Sequence, residues 1–308
     1  MITSHPAPAP VTVQRVTYHG YTDALRLSNG IVEAIVVPQL GRVLRFQFTG
    51  QPQTDPLYED ASWVGKTGAD ADLNTWANFG GDKAWPAPQS AWPDLLGHSW
   101  PPDKSFDGSP YYAQALPSGV RLASPISVPY AARILRSITL HPGESRLYFT
   151  QSLLKDSAAP KSFPVGFWEI TQVRADAQVQ ISAELAPGQI SPFQSLSDPG
   201  VVETAPYYKI NGGFLSITHD PNTAHKISAS PHPGVISLRY GPGLVFSEHY
   251  TPPPAGSSYA AHEQPVEVYS GAGKPGYFEL EVLGPLTALK AGESASLPVY
   301  WELQRTKK

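Results

Sequence analysis

Apolar and β-branched positions recur along this chain in short runs closed by glycine and proline, a spacing that predicts strands almost throughout. Residues 31–37 read IVEAIVV and residues 42–48 read RVLRFQF, with Pro38 and Gly41 between them, which predicts a hairpin or two consecutive strands. Further strands are predicted at 120–128, 132–140, 146–154, 163–173, 178–184, 207–218, 234–239, 243–249, 265–270, 277–283 and 296–303. The turn HPGES between two of them carries the Pro-Gly signal. Turns at intervals of about 8–12 residues point to a sandwich or barrel. Helical periodicity is nearly absent; its best window, 57–66, is short. Segments 51–56, 101–110 and 251–258 predict loops, and no repeat with a signature is present. The expected fold is all-β: a flexible N-terminal segment, 1–14, then one large domain, 15–308, of packed antiparallel sheets.

Alternation assigns faces to the candidate site strands. In 277–285, YFELEVLGP, Glu279 and Glu281 share one face and Phe278, Leu280 and Val282 the other. The preceding strand, PVEVYSG, carries Glu267. Such acids are either an ordinary solvated sheet face or carboxylates that accept a hydroxyl proton in a concave face. Two close acids also suit glycoside hydrolysis. In 163–173, FPVGFWEITQV, Trp168, Ile170 and Gln172 share a face, with Glu169, Thr171 and Val173 opposite. Trp168 and Gln172 fit a sugar platform with a hydrogen-bonding partner, or a core tryptophan with a satisfied amide.

The stretch least like scaffold is 78–89, NFGGDKAWPAPQ. Five of the seven tryptophans, Trp63, Trp76, Trp85, Trp92 and Trp100, lie in or around it. Pro86 and Pro88 lack a ladder donor, so the stretch predicts a long irregular loop rather than a central strand. Aromatic faces beside Asn78, Asp82, Lys83, Trp85 and Gln89 suit a sugar, whose C–H groups stack and whose hydroxyls meet polar side chains. A tryptophan-rich minicore is the competing reading, and the two are compatible. Lys83 paired with Asp82 would fix an anionic substrate group, with Arg42 as a second positive contact; both cations equally fit surface ion pairs.

Composition narrows the classes. Hydrophobic residues make up 41% and charged residues 16%, enough for a large core. Lys plus Arg number 22 against 26 acids, with no basic stripe, which argues against nucleic acid and anionic membrane as partners. The absence of cysteine excludes disulfides, thiolate metal sites and cysteine nucleophiles. No signal-peptide pattern and no long apolar run appears, so a soluble chain is expected, cytoplasmic or periplasmic. The nine histidines are scattered without metal-ligand spacing, and neither a metal nor a cofactor is expected. His98, beside the tryptophan-rich stretch, is the leading acid/base candidate among them, and His249 the next.

Four segments carry a resemblance: LSNGIVEAIVVPQLGRVLRF at 27–46, NFGGDKAWPAPQ at 78–89, FWEITQV at 167–173 and YFELEVLGPLTALKAGES at 277–294. In this order they resemble the galactose mutarotase-like superfamily, and within it an uncharacterised bacterial branch. The resemblance implies a β-supersandwich that binds a small sugar or glycan end on a concave sheet face. In mutarotases a late-strand glutamate takes the anomeric hydroxyl proton and a histidine protonates the ring oxygen. Glu279 matches that glutamate, with Glu281 as the alternative. The chain departs from the pattern twice: Phe79 precedes Gly80-Gly81 where mutarotases have histidine, and Trp168 stands where the mid-chain histidine would be. Asp82, Lys83 or His98 is then left to supply the acid. The implied function is a carbohydrate-binding protein of the aldose 1-epimerase type, interconverting anomers with a glutamate base. A non-catalytic sugar-binding module and a polysaccharide lyase or hydrolase are the alternatives. Oligomeric state is not legible.

Overall fold

Nearly every regular element is a strand, because runs of alternating inward side chains find a facing sheet to bury them. The computed structural model describes residues 7–71, 75–156, 164–182, 193–195, 205–241 and 243–306. Three antiparallel sheets form. The first contains β1 (Thr12–Tyr18), β2 (Tyr21–Ser28), β3 (Val32–Val37) and β4 (Arg42–Phe48) in that order. β1 takes in residues 12–14, which the sequence pattern placed in the N-terminal segment.

The second, six-stranded sheet begins at one edge with β5 (Asp82–Ala87), followed by β10 (Gly166–Arg174), β19 (Tyr277–Leu283), β18 (Val266–Ser270), β15 (His225–Ala229) and β12 (Phe193–Ser195). The third sheet takes β6 (Tyr112–Leu116), β7 (Gly119–Ala123), β8 (Ala132–Leu140), β9 (Arg146–Lys155), β11 (Gln178–Ser182), β13 (Tyr208–Asn211), β14 (Phe214–Ile217), β16 (Val235–Tyr240), β17 (Leu244–Tyr250), β20 (Ser294–Ser296) and β21 (Val299–Arg305). Among the described residues no helix is long and apolar enough to cross a membrane.

The large sheet faces the six-stranded one across the main core. Ile134, Ile138, Phe149, Phe246 and Trp301 from the former meet Phe167, Val173, Val268, Phe278, Leu280 and Val282 from the latter. Their alternation is the one expected for Phe278, Leu280 and Val282. The near-absence of helix holds: the 57–66 window has a bridge from Leu57 to Val173 and turns at 61–65, and the only α-helical segment among the described residues is one turn, Trp92–Leu96. Two expectations are corrected. The predicted strand 207–218 is a hairpin, because Gly212 and Gly213 adopt positive φ and turn the chain. Residues 82–87 form a strand, not an irregular loop. β5 is an edge strand paired only to β10, so Pro86 has no second ladder to interrupt. Residues 163, 183 and 184 of the predicted strands lie outside the described residues.

The Gly80-Gly81 pair brings the chain into β5. Both residues have positive φ, and a Cβ on either would collide with backbone, the Tyr58 carbonyl for Gly80 and the Val43 carbonyl for Gly81. Their role is close backbone approach. Phe79, just before them, packs edge-on against Trp63 and lies beneath the Arg42 guanidinium, 5.3 Å from the ring centre.

A polar knot interrupts the core. Arg136 on β8 pairs with Asp82 on β5, donates to the Gly41 carbonyl at 2.9 Å and to Gln151 Oε1 at 3.0 Å. Gln151 passes the link to Glu169 on β10 at 2.6 Å. Glu248 on β17 lies fully buried nearby, with both carboxyl oxygens unpartnered among the described residues. Burial pushes Glu169 up to about 8 and raises Glu248 as well, with neighbouring acids adding to both.

This knot makes stability pH-dependent. The unfolded chain releases the Glu169 proton near 4.5, while the folded chain holds it to about 8. Between those values the folded state binds more protons, so its stability declines as pH rises through the window. Glu169→Gln is expected to flatten that decline by about 1 kcal/mol or more. Urea unfolding of both proteins at about pH 5 and pH 9 checks it.

Candidate functional site

The inner face of the six-stranded sheet is spent on the core, so the alternate residues of the same strands form a second, polar-aromatic face. Registry brings them into rows. Trp85, Trp168 and Leu283 fall in one row, Lys83, Ile170, Glu281 and Glu267 in a second, and Gln172, Glu279 and Tyr269 in a third. Lys226 on β15 pairs with Tyr269 and joins the same face.

Two ammonium–carboxylate centres result. In the first, Lys83 Nζ donates to Glu279 Oε1 at 2.7 Å and Gln172 Nε2 donates to the same oxygen at 2.9 Å. Oε2 takes no hydrogen bond from a described residue. The Glu279 side chain is 13% exposed and that of Lys83 only 1%. The Lys83 ammonium lies 5.2 Å from the Trp76 ring centre and 5.1 Å from that of Trp85. Burial draws the Lys83 pKa below the ordinary lysine range; Glu279 opposes this and Arg42 adds to it.

In the second centre, Lys226 Nζ lies 2.5 Å from Glu267 Oε2 and 2.9 Å from Glu281 Oε2. Trp168 Nε1 donates to that same Glu281 oxygen at 2.8 Å, and the Lys226 ammonium sits 5.0 Å from the Trp168 ring centre. Burial pushes Glu281 up to about 8 and also raises Glu267. Burial would pull Lys226 down, but Glu281 and Glu267 outweigh it and hold its pKa above the ordinary range. The three directions agree physically: one ammonium cannot neutralise two buried carboxylates, so Lys226 stays charged and the acids share a proton.

Around these centres the tryptophans form a connected cluster. Trp85 meets Trp168 edge-on at 5.4 Å and Trp92 at 5.7 Å between ring centres. Trp85, Trp92, Trp168, Ile170 and Leu283 form their own apolar cluster. The minicore and the polar face therefore coexist. Tyr58 stacks on Tyr277 at 5.0 Å beside the start of β19.

Of the residues singled out from the sequence, Lys83, Trp85, Trp168, Gln172, Glu267, Glu279 and Glu281 converge on this face. Six stand elsewhere or apart. Asp82 points the opposite way, into the knot with Arg136 and the Val43 amide, because neighbours on a strand face opposite sides. Lys83 is accordingly paired with Glu279, not Asp82. Arg42 is buried, donating to the Gly80 carbonyl at 2.8 Å and pairing with Asp107. Asp107 in turn accepts from Trp76 Nε1 at 2.7 Å, so the hydrogen-bonded path from Arg42 ends at Trp76, whose ring lies beside Lys83. His98 is exposed and lines a surface hollow with Leu96, Pro101, Asp103 and Pro129, apart from the carboxylates. Asn78 and Gln89 are half-buried before and after β5, and neither has a hydrogen bond to the two centres. His249 lies on the large sheet, stacked on Tyr300 at 4.3 Å. Lys226 and Tyr269 were missed: HKISA and VEVYS carry only strand alternation, and their partners are remote in sequence.

Galactose mutarotase-like proteins share this fold. A galactose mutarotase-like protein from Lactobacillus casei ATCC 334 superposes with a TM-score of 0.58 at 12% identity, covering 91% of this chain and 100% of its own. One from Clostridium acetobutylicum gives 0.56 at 10% identity, covering 96% and 99%. A protein of Escherichia coli K12, provisionally called an aldose 1-epimerase, gives 0.56 at 13% identity, covering 96% and 100%. No family model matches the chain, and no curated protein matches it in sequence. The chain thus has the galactose mutarotase-like fold over most of its length.

Removing Lys226 would leave Glu267 and Glu281 facing each other with no counter-charge. Lys226→Ala is expected to cost about 2 kcal/mol at pH 7, less than a fully buried pair because the ammonium reaches solvent. The loss should shrink at about pH 4, because burial raises both acids and so favours their neutral forms there; denaturant midpoints at the two pH values check it.

Proposed function

We propose that this chain binds a sugar on the polar-aromatic face of the six-stranded sheet and interconverts its anomers, with Glu279 as base. One observation carries the proposal. Of the three strand carboxylates on this face, only Glu279 keeps an oxygen open to solvent while the other is pinned, by Lys83 and Gln172. Glu267 and Glu281 are closed off beneath Lys226.

The chemistry is a paired proton transfer. Glu279 Oε2 takes the proton of the anomeric hydroxyl as the C1–ring-oxygen bond breaks, and Lys83 gives a proton to the departing ring oxygen. The charged pair becomes a neutral pair, and the ring-opened aldehyde carries no new charge. Re-closure on the other face of C1 runs both transfers backwards and restores the ion pair. A depressed lysine pKa favours this role, because the proton leaves more readily than from a solvated ammonium. Lys83 thereby fills the place of the histidines that Phe79 and Trp168 displace. The fold of the structural neighbours supports a sugar as ligand.

Glu279→Gln should lower the rate of anomer interconversion by about 10²–10⁴ while the fold is kept, and Lys83→Met should lower it comparably. Polarimetry and exchange NMR on freshly dissolved hexose anomers measure it. No acceleration over buffer by the unaltered protein, for any hexose or hexuronate, would falsify the proposal.

A further inference from the structure

We infer that the sugar face selects for a free amine: it should bind a hexosamine more tightly than the parent hexose, and a hexuronate least. The inference rests on the sugar-binding proposal and specifies its ligand. Charge is the first ground. Glu263, on the loop before β18, joins Glu267, Glu279 and Glu281, so four carboxylates oppose two ammonium groups; Glu263 is near enough to act electrostatically on Lys226 and Glu281. Neither lysine is free to receive an anion. Lys83 already has its counter-charge in Glu279, between Trp76 and Trp85, and Lys226 is shared by Glu267 and Glu281. The proton retained by Glu281 and Glu267 reduces the excess negative charge without reversing it.

Hydrogen-bond supply is the second and independent ground. Gln172 Oε1, Glu267 Oε1 and Glu263 Oε2 are buried acceptors with no partner among the described residues. Gln172 and Glu267 are themselves 0% and 2% exposed. Glu279 Oε2 stands beside these three, and among the buried atoms of the face the one unpartnered donor is Trp85 Nε1. Buried polar atoms left without a partner cost about 1–3 kcal/mol each, so a ligand that brings donors is favoured. An ammonium brings three and accepts none, a hydroxyl brings one, and a carboxylate brings only acceptors. Charge and hydrogen bonding therefore rank the ligands identically.

The tryptophans of the face supply the readout. Titrations followed by intrinsic fluorescence, at about pH 6.5 so that the amine is protonated, compare glucosamine and galactosamine with glucose and galactose, the two hexuronates, and the two N-acetylhexosamines. The free amines should bind on the order of tenfold tighter than the parent hexoses, since one charge-assisted hydrogen bond is worth that much. N-acetylation, which removes the charge and keeps the nitrogen, should abolish the advantage, and Glu279→Gln should reduce it. A hexuronate or an N-acetylhexosamine that binds as tightly as the free amine overturns this inference and leaves sugar binding standing. No binding of any sugar overturns both.

Discussion

Arg136 holds the two facing sheets in one arrangement. Its guanidinium, sealed in the core, grips Asp82 on the edge strand, the Gly41 carbonyl and, through Gln151, Glu169 on the adjacent strand. A buried cation of this kind tolerates little displacement, because each lost partner exposes an unpaired charge to an apolar surround. The grip therefore sets the depth and tilt of β5 and β10 against the large sheet. Every residue between those anchors is placed as a consequence.

The polar-aromatic face follows by parity. Asp82 and Glu169 point at Arg136, so Lys83, Trp168 and Ile170 must point away. The same alternation sends Phe278, Leu280 and Val282 into the core and leaves Glu279 and Glu281 opposite. Core and site are two sides of one set of strands, and the core side is apolar enough to pay for the charged one. Indole rings then limit water around both lysines, which strengthens each ion pair while lowering the proton affinity of Lys83.

Much of this was legible in the residues. β-Branched runs and Pro/Gly turns mark most strands, and alternation correctly pairs Glu279 with Glu281 and Trp168 with Gln172. The errors have specific causes. Pro86 argued against a strand because an edge position cannot be seen locally. Asp82 and Lys83 looked like a pair because they are adjacent, whereas a strand separates neighbours to opposite faces. His98 stood close in sequence to the tryptophans and lies on an exposed turn.

The sequence by itself determined an all-β chain, the apolar side of the strand at 277–283, and which residues share a face in the strand at 163–173. These follow from periodicity, which is local. Which charged groups meet was decided only by the tertiary structure. Lys83 meets Glu279 across 196 positions, and Lys226 meets Glu281 across 55. Nothing local encodes such meetings, because strand order and register arise from packing two whole sheets against each other.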